Sequence, residues 1–200
     1  MLDAAARRLI DPPLDHAGRA LAARGVGADA VTLAGLVLGL ATAATIALGA
    51  PGWALLPLLL SRLLDGLDGA VARATRRTDF GGYLDIWCDF AFYGAVPFAF
   101  ALLDRSNALA AAFLLLAFYV NGTSFLGYAI QAEKRLMATE NQGLKSFYYS
   151  RGLLEGTETI LFFVLLCLLP RYFVPLTVVF GSLCLLTAIG RVVHARTVLS

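Results

Sequence analysis

The sequence predicts an all-α integral membrane protein: six transmembrane helices preceded by an N-terminal amphipathic interfacial helix. Three observations lead there. The 200 residues are 59% hydrophobic and only 15% charged, with a mean hydropathy of +0.75, outside the range of ordinary soluble domains. Six apolar stretches each come near the roughly 20 residues that a bilayer helix needs. The polar residues are gathered into short breaks between those stretches and one amphipathic run ahead of them.

Taken in order, the first element is the amphipathic one. Asp11 followed by Pro12 and Pro13 is a helix-start signal, a capping side chain and then proline in the first turn. Leu14, Ala17 and Leu21 share a face opposite Asp15 and Arg19, and Gly25 stops the helix. Residues 1–28 therefore read as an interfacial segment, and 29–200 as one six-helix transmembrane domain. An ordinary polar extension is the alternative reading of 1–28. The spans fall at about 30–48, 53–72, 82–103, 108–130, 153–169 and 173–193. Gly49-Ala50-Pro51-Gly52, Asp104-Arg105-Ser106-Asn107 and Pro170-Arg171 punctuate them.

The positive charges predict the orientation. With a cytoplasmic N-terminus, 13 of the 16 Lys and Arg residues fall on the cytoplasmic side: Arg7, Arg8, Arg19, Arg24, Arg73, Arg76, Arg77, Lys134, Arg135, Lys145, Arg151, Arg191 and Arg196. An integral inner (plasma) membrane protein with both termini and the active site facing the cytoplasm is expected. No signal-peptide core precedes residue 10, so no cleaved targeting sequence is expected. A net charge of +2 without an aromatic-rich basic stripe excludes a nucleic-acid partner. Cys88, Cys167 and Cys184 lie in apolar runs without metal-ligand spacing and read as small core residues.

The chemistry lies in the run DGLDGAVARATRRTDFGGYLDIWCD. Its four aspartates, Asp65, Asp68, Asp85 and Asp89, are expensive in a bilayer and mark a functional site. Spacings of three and four put each pair on one face of its helix. At about 1.5 Å of rise per residue, Asp68 and Asp85 lie roughly 6–7 Å below the loop, Asp65 and Asp89 roughly 12 Å. Four matched carboxylates repel one another unless hard divalent cations neutralise them, and two such ions about 3.5–4 Å apart serve in-line displacement at phosphorus. Pairing with Arg62, Arg73, Arg76 and Arg77 as a structural ion network is the alternative. Gly69, Ala72 and Gly81 lack bulk on these faces, which admits close helix approach or a ligand against the backbone.

The pattern Asp65-x-x-Asp68-Gly69-x-x-Ala72-Arg73, then Gly81-x-x-x-Asp85-x-x-x-Asp89, resembles the signature of the CDP-alcohol phosphotransferases (CDP-alcohol phosphatidyltransferases). The segment between Arg73 and Gly81 is one residue shorter than is usual there. Gly27-Ala28-Asp29-Ala30-Val31-Thr32 is similar to the family's Pro-Asn-x-(Ile/Val)-Thr, with Ala28 for Pro and Asp29 for Asn; Asp29 is expected to keep the capping role. The resemblance implies a membrane transferase of phospholipid synthesis. It would move a phosphatidyl group from CDP-diacylglycerol to a small polar alcohol and release CMP. Asp65, Asp68, Asp85 and Asp89 would hold Mg²⁺ or Mn²⁺, two ions per site, with Asp89 also the general base. Asp65, Asp68, Gly69, Ala72, Arg73 and Gly81 would bind the CDP moiety. A homodimer is likewise implied.

The acceptor is open among serine, glycerol 3-phosphate and inositol phosphate. Lys134, Arg135, Lys145 and Arg151, with Tyr148 and Tyr149, read either as membrane-surface anchors or as contacts to a phosphorylated acceptor. Gly94 and Pro97 are similar to the bacterial phosphatidylserine synthase branch, which points elsewhere. Glu155 and Glu158 suit a helix start or recognition of an amine. Asn121 reads as an interhelical hydrogen bond, and Arg62 as either a counter-charge or a phosphate contact. A transporter or a cation or proton pathway is the rival class. The absence of an inverted repeat and the crowding of the acids into one hairpin favour the enzyme.

Overall fold

The computed structural model describes residues 3–134 and 156–199, with side chains from Ile10 onward. The described residues form helices and no strand. In chain order these are α1 (Asp3–Ala23), α2 (Ala28–Ala47), α3 (Leu55–Ala74), α4 (Asp79–Leu103), α5 (Ala108–Lys134), α6 (Gly156–Leu168) and α7 (Phe173–Leu199). Four of them, α2, α4, α5 and α7, are long and apolar enough to cross a membrane. α3 has the length, but Arg62, Asp65, Asp68 and Arg73 interrupt it, and the described part of α6 has 13 residues.

The punctuation falls where it is expected. Gly25 (φ +79°) and Gly49 (φ +90°) turn the chain after α1 and α2 in a conformation that side-chain-bearing residues avoid. Single 3₁₀ turns follow α4 at Arg105–Asn107 and α6 at Pro170–Tyr172. Two expectations need correction. α1 does not start at Asp11: it begins at Asp3 and runs through Pro12 and Pro13, because Ala4–Ala6, Arg7, Arg8 and Leu9 are strong helix formers that extend it upstream. Asp29 does not cap α2 either. The N-cap is Gly27, with extended backbone, which leaves Asp29 inside the first turn, where its charge suits the helix dipole.

Packing explains how the acidic hairpin is held. In lipid, apolar helices gain little from hiding apolar surface, so close fit and hydrogen bonds drive association. α2 buries a stripe of mostly small residues, Val31, Thr32, Gly35, Gly39, Thr42 and Ile46, and packs on both α3 and α4. A methyl group at Gly39 would sit 2.8 Å from the Phe92 ring, and the Gly35 carbonyl accepts a hydrogen bond from Ser61 at 2.7 Å. α1 packs on α3 in the same way: a methyl at Gly18 would meet the Ala70 Cβ at 2.7 Å. Behind this, α4 to α7 share a core of aromatic rings, with Phe162 stacked on Phe180 at 4.0 Å and Phe100 on Phe173 at 4.7 Å. The three cysteines are free and buried, as their apolar settings predict.

Candidate active site

α3 carries Asp65 and Asp68 and α4 carries Asp85 and Asp89, and packing brings three of the four into one cluster. Carboxylate oxygens of Asp65, Asp85 and Asp89 all lie within 4.8 Å of one another. Arg62, one turn before Asp65, reaches into that cluster. Its Nη1 donates to Asp89 Oδ1 at 2.7 Å and lies 3.5 Å from Asp65 Oδ1. The guanidinium is fixed from behind, with its face on the Phe92 ring at 4.2 Å and Nη2 donating to Ser61 Oγ at 3.1 Å. The sequence leaves Arg62 undecided; the structure makes it a counter-charge for two acids. The alternative ion network is thus realised in part, since Arg62 pairs with two of the three carboxylates. Three half-buried carboxylates offer hard oxygen donors close enough together that they could hold a divalent cation.

Asp68 is arranged differently. It is buried, and its Oδ2 accepts a 2.6 Å hydrogen bond from the hydroxyl of Thr32 on α2. That hydroxyl also lies 3.1 Å from the Ala28 carbonyl, and its single hydrogen serves one acceptor at a time. Asp68 therefore stands beside the acidic trio rather than within it.

Next to the trio opens a cavity of about 310 Å³ between α2 and the loop joining α3 to α4. Of the residues expected to bind a nucleotide diphosphate, Asp68, Gly69, Ala72, Arg73 and Gly81 line it, whereas Asp65 belongs to the trio and does not. Asp85 belongs to both and joins the carboxylates to the cavity. Arg76 and Arg77 add positive charge to the lining, and guanidinium forks suit phosphate oxygens. Both glycines line the cavity, Gly69 beside Arg73 of its own helix and Gly81 also towards Asp29 of α2. A methyl at Gly69 would come 3.4 Å from Arg73 Nη1, and one at Gly81 would come 3.0 Å from Thr78 Oγ1 and 3.2 Å from Asp29 Oδ1. Thr78 also caps α4, accepting from the Gly81 N–H at 3.0 Å.

Sequence reasoning passed over four contributors: Asp15, Thr32, Ser61 and Phe92. Thr32 sits in the quoted Ala28-Asp29-Ala30-Val31-Thr32 segment, which is the one signal that singles it out. Asp15, read as part of a solvated face, instead binds Arg73: Oδ1 accepts from Nη2 at 2.7 Å and from Nε at 3.1 Å. Asn121 does bridge helices, its carbonyl and side-chain oxygens each accepting from Arg191 of α7 at 3.1 Å. Arg191, counted above among the cytoplasmic cations, is buried there and also donates to Ser124 Oγ at 2.6 Å. Lys134 is exposed at the end of α5, and Glu158 lies in the first turn of α6. Arg135, Lys145, Tyr148, Tyr149, Arg151 and Glu155 lie outside the described residues.

A family model described as CDP-alcohol phosphatidyltransferase matches residues 26–193. The chain is 47% identical over 193 residues to the inner membrane protein YnjF of Escherichia coli (strain K12), spanning 96% of this chain and 94% of that protein. It is 33% identical over 97 residues to the archaetidylinositol phosphate synthase of Pyrococcus horikoshii, spanning 48% of this chain and 52% of that one.

Proposed function

The chain belongs to the CDP-alcohol phosphatidyltransferase family, and we propose that it transfers a phosphatidyl group from CDP-diacylglycerol to a small polar alcohol with release of CMP. The observation that carries this reading is the convergence of Asp65, Asp85 and Asp89 within 4.8 Å beside an arginine-lined cavity that shares Asp85. A cation or proton pathway does not call for the three arginines that line this cavity.

The donor set fits Mg²⁺ or Mn²⁺, and Asp65, Asp68, Asp85 and Asp89 are the residues proposed to hold two such ions. When bound, they would neutralise the diphosphate and make CMP a better leaving group. Gly69, Ala72, Arg73 and Gly81 then receive the CDP moiety, the glycines because a bare backbone admits a phosphate closely. Asp89 takes the proton of the acceptor hydroxyl. The freed oxygen attacks the lipid-side phosphorus, and the bond from that phosphorus to the CMP oxygen breaks. Lys134, Arg135, Lys145 and Arg151 are proposed to meet a phosphorylated acceptor, a choice supported by the similarity to an archaetidylinositol phosphate synthase.

The same reading places the enzyme in the inner membrane, supported by the relative named for that membrane and by the four long apolar helices. It adds α3 and α6 to make six spans, lays α1 in the interface as the separate segment 1–28, sets both termini in the cytoplasm and pairs two copies. The test is CMP release from CDP-diacylglycerol by protein in detergent with Mg²⁺ or Mn²⁺, across serine, glycerol 3-phosphate, inositol, inositol phosphate and choline. Release that depends on one acceptor names the product lipid. Folded protein that neither releases CMP nor binds CDP-diacylglycerol refutes the proposal and moves weight to cation transport.

A further inference from the structure

We propose that Asp15 on α1 is a positioning residue for donor binding: it holds one edge of the Arg73 guanidinium so that the other edge faces the cavity over Gly69. The inference rests on reading that cavity as the CDP-diacylglycerol site.

Arg73 stands in the last turn of α3, about a third exposed, where a long side chain would otherwise sample many rotamers. Asp15 removes that freedom. One carboxylate oxygen accepts from both Nε and Nη2, at 3.1 and 2.7 Å, which fixes the plane of the guanidinium as well as its position. The opposite nitrogen, Nη1, is thereby placed 3.4 Å from where a Gly69 side chain would begin, on the cavity wall. A guanidinium has five N–H donors, and Asp15 engages two, so a fork remains for a phosphate.

Asp15 can act this way because α1 is docked rather than loosely apposed. Leu14, its neighbour, is buried with its Cδ1 2.8 Å from where a Gly66 side chain would begin. Gly18, one turn on, lets α1 approach the Ala70 backbone to 2.8 Å from its own missing Cβ. The carboxylate is thus carried on a rigid contact with the helix that bears Arg73. Its role in stability is small, since ion pairs this exposed add little to folding. What remains for the pair is orientation of Arg73.

The experiment uses the full chain in detergent with Mn²⁺, and follows CMP release while CDP-diacylglycerol is varied at saturating acceptor. Asp15→Ala is expected to raise KM for CDP-diacylglycerol about tenfold, the worth of one misplaced charge-assisted hydrogen bond. kcat should stay within about twofold and the melting temperature should not move, the pattern of lost uniform binding. Asp15→Glu should recover part of the loss, and Arg19→Ala, exposed on the same helix, should match the wild type. A KM unchanged in Asp15→Ala overturns the proposal. So does a kcat and melting temperature that fall together at constant KM, the mark of a merely structural contact. Wild-type protein without CDP-diacylglycerol-dependent release overturns the donor reading and this inference with it; an active wild type with an indifferent Asp15→Ala overturns this inference alone.

Discussion

Replacing Arg62 by Met asks whether this cation stands where the acids need positive charge. Met keeps apolar contact with the Phe92 ring and removes the guanidinium that lies 2.7 Å from Asp89 and 3.5 Å from Asp65. Unit charges about 4 Å apart interact by about 4 kcal/mol at an effective dielectric of ~20 and by about 1 kcal/mol in water. The two aspartates are each about a third exposed and the arginine is largely covered, so a value of about 2 kcal/mol lies between the surface and buried limits. In chelator, Arg62→Met should therefore be about 2 kcal/mol less stable than wild type. The same arithmetic applies with opposite sign to a divalent cation, which no longer shares the site with a positive neighbour. A doubly charged ion gains at least the about 2 kcal/mol of a single charge, so Mn²⁺ should bind Arg62→Met at least about 30-fold more tightly, 1.4 kcal/mol being tenfold, and saturating Mn²⁺ should restore most of the lost stability. Thermal unfolding in detergent with and without Mn²⁺, together with a calorimetric Mn²⁺ titration, reads both effects. Unchanged or weaker Mn²⁺ binding would show that Arg62 does not share its field with a cation site, and the electrostatic reasoning would fail.

Asp89→Asn should fold and retain CDP-diacylglycerol binding, yet lose CMP release by orders of magnitude; near-normal turnover would remove Asp89 from its proposed role as base. Thr32→Val keeps the shape of the side chain but leaves a buried Asp68 oxygen without its 2.6 Å donor. It should lower stability by about 1.5–3 kcal/mol, with Thr32→Ser close to wild type in the same unfolding assay. Gly18→Leu cannot fit against the Ala70 backbone at its present distance of 2.8 Å from a Cβ. Overpacking of about 1–3 kcal/mol should loosen α1, visible as faster proteolysis of residues 3–23 and, through Asp15, as weaker donor binding.

How much of this was legible in the chain depended on how local each feature is. The acidic pairs were readable because residues three or four apart share a helix face whatever the rest of the protein does. The breaks were readable because Gly25, Gly49 and Pro170 act through their own backbone. α1 misled at its start because Asp11-Pro12-Pro13 is a genuine local signal that the helix-forming residues upstream overrode. Gly69 and Gly81 were readable as small but not as cavity-lining, since the same composition also serves helix contact, the use made of Gly18 and Gly39.

By itself, then, the sequence determined that the protein is helical, belongs in a membrane and carries four carboxylates in the CDP-alcohol phosphatidyltransferase pattern; apolar run length, helical periodicity and a dense motif are all properties of short stretches. Only the tertiary structure decided how those carboxylates are used. It joined Arg62 to Asp89 across 27 residues, Thr32 to Asp68 across 36 and Arg73 to Asp15 across 58. Such partners are chosen by which helix faces meet, and that depends on the fit of α1 and α2 against α3 and of α2 against α4, where Gly18, Gly35 and Gly39 let the backbones approach. No spacing within a single helix encodes that fit.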